Sequence, residues 1–280
     1  MSALAQFVVA PSSQNRDELL FVFGIPLIGS HLTDDFQGIC KLLGETLNSC
    51  LQQNYEKILI LVACNEIPDA SWVPPSPKIQ FIPTKALSRA ELVSNPYADI
   101  ALKRNTLINA AVDFRAGYYY QFDADDLISS NLVSFVMKSA PKNGCLLGSG
   151  YLLDSRTNSL YHLPNSLFRS TKFYRWCGGA NIVSLDPTPD EATKQSNTIY
   201  LKQILSPGHH IADKTYENVG RPAQELDFPA CIYRANHGSN YYLTLNRAER
   251  MNDIDAIASN CAPVAGDELE DVKKEFGFRG

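Results

Sequence analysis

Short apolar runs alternate with helix-spaced segments through the first half of this 280-residue chain, and that alternation constrains its fold more than any single residue does. In "LLFVFGIPLIG", Leu19 to Ile25 form a continuous run of β-favouring residues that Pro26 ends. Such runs belong to strands buried on both faces. "LTDDFQGICKLLGETLNSCLQQNY" follows, with Phe36, Ile39, Leu43, Leu47 and Leu51 at helical spacing. Thr33 is placed to cap this helix, and Asp34 and Asp35 suit its positive end. "KILILVACNE" predicts a second buried strand over Ile58 to Ala63, and "IQFIPT" a short third one. "PYADIALKRNTLINAAVDF" predicts a helix with Ile100, Leu107, Ile108 and Ala111 facing the core, and "GYYYQF" a fourth strand. The order strand, helix, strand, strand, helix, strand predicts an α/β, Rossmann-like domain with a central, mainly parallel mixed sheet flanked by helices.

The second half is less regular. "NLVSFVMKSA" and "PDEATKQSNTIYLKQIL" predict helices. "CLLGSGYLLDSRTNSLYHL" predicts a hairpin turning at Arg156 to Asn158. "RWCGGANIVSL" predicts a Gly-Gly turn entering a strand, "PACIYRA" a further strand, and "GDELEDVKKEFGF" an amphipathic helix. With no repeat and no linker-like tract, we read 1–280 as one domain, a donor half over about 18–140 and an acceptor half over about 141–280.

Polar residues gather where the predicted strands end. Pro26 follows the first strand, Asn65 and Glu66 the second, and Asp123, Ala124, Asp125 and Asp126 the fourth. Ligands of such sheets bind beyond the carboxyl ends of the strands. Adjacent carboxylates repel unless a cation sits among them. A Ca²⁺ loop counted from Asp123 fails, because Ile128 stands where the sharp turn needs glycine and Ser134 where the last ligand is a glutamate. Helix capping explains at most Asp126, and Ser129 or Ser130 is the better cap. A Mn²⁺ or Mg²⁺ site that engages phosphate accounts for Asp123 and Asp125 together. Three chemistries use one: nucleotide-sugar transfer, phosphohydrolysis through an aspartyl-phosphate, and nucleotidyl transfer. "FGIPLIGSH" has no Lys or Arg, against the third, and a nucleophile on the fourth strand is misplaced for the second. A non-catalytic nucleotide- or carbohydrate-binding module is the remaining alternative.

Composition narrows the setting. The formal net charge of −5 opposes a general nucleic-acid binder. Seven scattered cysteines without a C-x-x-C pair read as reduced core thiols of a cytosolic protein. The opening "MSALAQFVVAPSSQNRDELL" lacks the basic and apolar regions of a signal peptide, and no apolar stretch reaches the length of a membrane span. Peripheral contact with the inner face of a membrane stays open.

Three stretches in order carry a resemblance: "FGIPLIG", "ETLNSCLQQNYEKILILVACNE" and "ADIALKRNTLINAAVDFRAGYYYQFDADDLIS". Together, over about 18–135, they resemble the family 2 glycosyltransferases of the GT-A nucleotide-diphospho-sugar fold. The resemblance implies a metal-dependent, inverting glycosyltransferase. It implies a nucleotide-sugar donor, a UDP-sugar first among them, and a glycan, glycolipid or other hydroxyl acceptor. It implies that Asp125 is the main metal ligand, with Asp123 sharing the ion or lying nearer the ribose, and that a late histidine, His237, completes the site. Pro26 and Glu66 then flank the base, Glu66 standing where the family carries an Asp-rich motif. Lys103 and Arg104 face nucleotide or phosphate, although Asp99 and Lys103 also have the spacing of an i, i+4 ion pair. "CGGANIVSL" resembles the acceptor-side turn, where Gly178 and Gly179 allow close approach and Trp176 offers a wall to a sugar, or else packs in the core. The family draws its catalytic base from an acidic pair that this chain lacks between 180 and 230. His210 or Asp213, in "HHIAD", takes that expectation.

Overall fold

A computed structural model describes residues 18–168, 171–238 and 247–278. The opening residues read against a signal peptide lie mostly outside the described residues. The apolar runs become β1 (Phe21–Pro26) and β2 (Ile58–Cys64), and every residue in both is buried. They pair in parallel with each other, and β2 pairs in parallel with β3 (Ile79–Pro83). On its other side β1 pairs in parallel with β4 (Tyr118–Gln121). Beyond β4 the sheet continues through β9 (Asn181–Ser184), β6 (Gly144–Leu147) and β10 (Gln224–Leu226). β9 runs antiparallel to both of its neighbours, so the seven-stranded sheet, in the order β10-β6-β9-β4-β1-β2-β3, is mixed. The chain winds outward from the interior strand β1 to β2 and β3, then returns to place β4, the middle strand of the seven, on its other side.

Helices flank this sheet. In α1 (Phe36–Leu51), Ile39, Leu43 and Leu47 are buried as their spacing predicts. Its cap is Asp35, which accepts from the Gly38 amide at 2.9 Å, while Thr33 sits two residues further out and accepts from the Asp35 amide. α2 (Arg89–Ser94) is a short helix the apolar pattern does not reveal, started by a Ser88–Glu91 capping box. α3 (Ala98–Asp113) buries Leu107, Ile108 and Ala111 but leaves Ile100 half-buried. α4 (Leu132–Ser139) begins after Asn131, whose amide donates to Ser129 Oγ at 3.1 Å, and α5 (Glu191–Leu205) starts on an Asp190 cap.

The predicted hairpin divides. Its first part is β6 of the large sheet, and only β7 (Gly150–Asp154) and β8 (Ser159–Leu163) form a hairpin. These two join β5 (Leu127–Ile128) and β11 (Cys231–Ala235) in a second sheet, ordered β5-β11-β7-β8. α6 (Ala212–Asn218) and α7 (Arg247–Asn260) follow in the second half. The terminal helix α8 (Gly266–Phe276) sets Val272 and Phe276 against Leu127, Tyr151 and Leu153 of the second sheet. One apolar cluster runs through both halves of the chain, from Leu19 to Ile257. All seven cysteines are free thiols, and Cys261 alone is not buried. No described helix is long and apolar enough to cross a membrane.

Candidate functional site

In a sheet that winds outward from an interior strand and then reverses, the two strands at the reversal leave a crevice beyond their carboxyl ends. Here those strands are β1 and β4, and the acidic cluster follows β4 directly. An aromatic floor lies beneath it. Tyr120 and Phe122 stack at 4.9 Å, and Phe23 from β1 meets both rings at 6.1 and 6.0 Å.

Three elements shape the acidic loop. The Thr46 hydroxyl on α1 donates to the carbonyls of Ala124 and Asp126, at 2.9 and 2.8 Å. Asp126 turns inward and is fully buried. Its carboxylate accepts from the Arg234 amide at 3.1 Å and from the Cys177 thiol at 3.2 Å, and Cys177 and Cys231 lie 3.9 Å apart at sulfur. Burial pushes the Asp126 carboxyl well up, reinforced by Cys177 and the other two aspartates, and it also raises both thiols. This Asp-Cys-Cys group, its ligand atoms within 4.8 Å, is a buried, hydrogen-bonded knot under the site that fixes the loop to β11. The fourth-strand cluster thus splits by role, and Asp126 is neither a helix cap nor a third open carboxylate.

Asp123 and Asp125 stay half-buried at the surface of this knot. β11 pairs antiparallel with β5, and that register carries the chain after β11 back past the loop. His237 arrives there with its Nε2 2.5 Å from Asp125 Oδ2, joining residues 112 positions apart. Its Nδ1 is enclosed, with no hydrogen-bond partner among the described residues. Burial, then the Asp125 charge, push the Asp123 carboxyl up to about 6, with Arg104 pulling the other way. The Arg104 charge thus acts on Asp123.

Lys103 does not. It is completely buried, 2.5 Å from Asp99 Oδ2 and 2.7 Å from Asn65 Oδ1. The i, i+4 pair forms, but inside the protein, where Lys103 braces the strand ends instead of facing a donor. Asn65 passes the brace on, donating to Thr84 Oγ1 and the Lys85 carbonyl at 3.2 and 3.1 Å. Glu66 accepts from the Ser30 amide in the loop after β1, so the segments following Pro26 and Cys64 meet as expected of a shared edge.

The Gly-Gly turn also reaches the site. The Tyr120 hydroxyl donates to the Gly179 carbonyl, and a Cβ on Gly179 would stand 2.3 Å from Phe122 Cβ. Only glycine permits that approach, and it sets Gly178 beside Asp123: a Cβ there would lie 3.3 Å from Asp123 Oδ2 and 3.8 Å from His209 Nδ1. Trp176 corrects the expectation of an acceptor wall. It is 3% exposed and packs edge to face on Phe168 at 5.0 Å, as core.

His210 and Asp213 are both poorly placed for the role assigned from sequence. His210 is exposed and folds back over Gly208. Asp213 Oδ2 takes the Arg175 guanidinium at 2.8 Å and the Tyr174 hydroxyl at 3.4 Å, and its Oδ1 is enclosed by protein. His209, one residue earlier, is the histidine beside Gly178. Sequence reasoning also passed over Thr46, Asn65 as a brace, and Cys177, whose partners are all distant along the chain. No protein-family model and no curated protein matches this chain.

Proposed function

We propose that this protein is a metal-dependent inverting glycosyltransferase of the GT-A fold, similar to family 2, acting from a nucleotide-diphosphate sugar on a hydroxyl acceptor. A UDP-sugar is the donor we put first, and a glycan or glycolipid the acceptor. The observation that carries this reading is the convergence of Asp123, Asp125 and His237 beyond the carboxyl ends of β1 and β4. Carboxylate oxygens suit Mn²⁺ or Mg²⁺, and both ions leave positions for phosphate oxygens. The residues fit a cation on two counts: the proton affinity of Asp123 is raised, partly by Asp125, and His237 keeps an enclosed nitrogen with no described partner.

Asp125 and His237 would hold the ion, and Asp123 would share it or meet the ribose. A bound ion supplies positive charge to the departing diphosphate. Arg104 adds a charge that acts on Asp123, and the buried aromatic rings of Tyr120 and Phe122 underlie the loop. Pro26 and Glu66 bound the base side, on segments tied through Ser30. The free thiols fit a reducing compartment, so the reading places the enzyme in the cytosol.

Asp125→Ala tests the assignment. The variant should retain its fold by circular dichroism and lose Mn²⁺-dependent UDP affinity in calorimetric titration. Undiminished affinity contradicts the assignment. Phosphate release from simple phosphoesters without an acceptor would mark a hydrolase instead.

A further inference from the structure

Asp126, Cys177 and Cys231 meet beneath the acidic loop, and all three are completely buried. They come from three segments: the loop after β4, the turn that leads into Gly178 and Gly179, and the first residue of β11. No local spacing joins them, since Cys177 lies 51 residues after Asp126 and 54 before Cys231. Acidic groups gathered in a protein interior hold one another by hydrogen bonds or coordinate a metal. The distances here suit a metal. A tetrahedral Zn²⁺ with sulfur at about 2.3 Å sets two thiolates about 3.8 Å apart, and a carboxylate oxygen at about 2.1 Å then lies about 3.6 Å from each. Cys177 and Cys231 are 3.9 Å apart at sulfur, and Asp126 Oδ2 is 3.2 Å from Cys177 Sγ. Both separations match within a few tenths of an ångström, and the third is within 4.8 Å. The other oxygen, Asp126 Oδ1, accepts from the Arg234 amide at 3.1 Å, which fixes the carboxylate's orientation as the outer partner of a ligand does. The Tyr120 hydroxyl reaches Cys231 and is an oxygen at hand for a fourth position.

We propose that Asp126, Cys177 and Cys231 form a structural Zn²⁺ site, separate from the Asp123–Asp125 site above it. Thiolates select zinc, whereas Mn²⁺ and Mg²⁺ prefer oxygen, so the two groups sort different ions. Each thiol releases its proton to solvent as its sulfur's electron pair binds the ion, and nothing is oxidised. The ion loads as the chain folds, because no path leads to buried sulfurs afterwards. Its role follows from what it joins. It ties the acidic loop to the Gly-Gly turn and to β11, the three segments that carry Asp123 and Asp125, Gly178, and the approach to His237. The proposal does not rest on the glycosyltransferase reading.

The test uses the full chain without an affinity tag, produced in zinc-supplemented medium and dialysed under reducing conditions. Its metal content is measured by mass spectrometry. The wild type should carry stoichiometric zinc, and refolding it in CoCl₂ should give the near-ultraviolet charge-transfer band of thiolate-bound cobalt. Cys177→Ser and Cys231→Ser should lose both the zinc and the band. Cys145→Ser, which alters another buried thiol, should keep them, and so should Asp125→Ala, which removes the proposed Mn²⁺ ligand. Asp126→Asn keeps the shape of the side chain. It should weaken zinc in competition with a chromophoric chelator by at least about 10- to 100-fold, and this variant decides the matter if the serine variants do not fold. A wild type that holds no zinc and shows no cobalt–thiolate band overturns the site. Zinc retained in Cys177→Ser and Cys231→Ser, or held with unchanged affinity in Asp126→Asn, overturns it as well. Zinc lost in Asp125→Ala places the ion in the upper site and also overturns the proposal.

Discussion

At the scale of single residues, the site depends on which atoms are kept out of the space beside Asp123. Gly178 can accept a Cβ without a backbone collision, since its nearest neighbours would be side-chain atoms at 3.3 and 3.8 Å. If the proposed site is correct, Gly178→Ala should fold with a melting temperature near that of wild type yet lose most turnover, because the methyl group crowds the Asp123 carboxylate. Normal turnover in this variant, measured beside its thermal melt, would place the reaction elsewhere. Asp123 gives a pH dependence. Burial and Asp125 raise its carboxyl to about 6, so the metal-free native state holds this proton more tightly than the unfolded chain does. That stabilising contribution is complete below the ordinary carboxylate range and is lost as pH rises through about 6. Metal binding has the opposite dependence, because an ion must displace the proton. Mn²⁺ affinity should fall about tenfold per pH unit below about 6; a flat calorimetric profile between about pH 5 and pH 7.5 contradicts Asp123 as a member of the site. Sequence exposed Asp123, Asp125 and His237 because their residue types and positions carry chemistry. It could not separate His209 from His210, which are chemically identical neighbours sorted only by Gly208 and the packing of the turn.

At the scale of elements, the hold on His237 comes from the second sheet. Asp154, fully buried at the end of β7, accepts from Arg156 Nε at 3.1 Å and Nη2 at 2.8 Å, and from Asn236 Nδ2 at 3.0 Å. Arg156 continues to Asp255 of α7 at 2.6 Å. Although burial pushes the Asp154 carboxyl up, hydrogen bonds from Arg156 and Asn236 hold it below the usual range. Asn236 itself is left-handed (φ 62°), so the turn that presents His237 relies on its side chain being held. Asn236→Gly keeps that backbone accessible and removes the tether, and it should weaken Mn²⁺ binding by about 10- to 100-fold. Asp154→Ala should do the same and destabilise the fold. Unchanged Mn²⁺ affinity in Asn236→Gly, by calorimetric titration, would show that the tether does not position His237. Little of this was legible beforehand. β1, β2, α1 and α3 declare themselves because their apolar spacing is local. β5 and β10 have two and three residues, too few for a pattern, and their pairing is set by distant strands. Gly148 and Ser149 read as the middle of one hairpin, yet they separate a strand of the large sheet from one of the small sheet. Trp176 has the composition of a binding wall and the packing of a core residue, which residue type alone does not distinguish.

At the scale of the whole molecule, the two halves are joined where the chemistry is proposed. β1, β4 and the acidic loop come from the first half; Gly178, His209 and His237 come from the second. α1 grips both, through Thr46 to the loop and through Glu45 to Arg234 of β11 at 2.8 Å. A ligand bound between them should stabilise the fold as a unit, since binding to the native state alone adds its free energy to that of folding. The most direct measurement is the thermal melt of the full chain with UDP, in MnCl₂ and again with EDTA. At about a hundredfold excess over the dissociation constant, binding contributes about 2.7 kcal/mol, or about 5 °C for a chain of this size. The account predicts that shift with UDP and Mn²⁺ together, and none with UDP in EDTA. An equal shift in EDTA, or no shift in either, contradicts a metal-dependent nucleotide site at the carboxyl ends of β1 and β4.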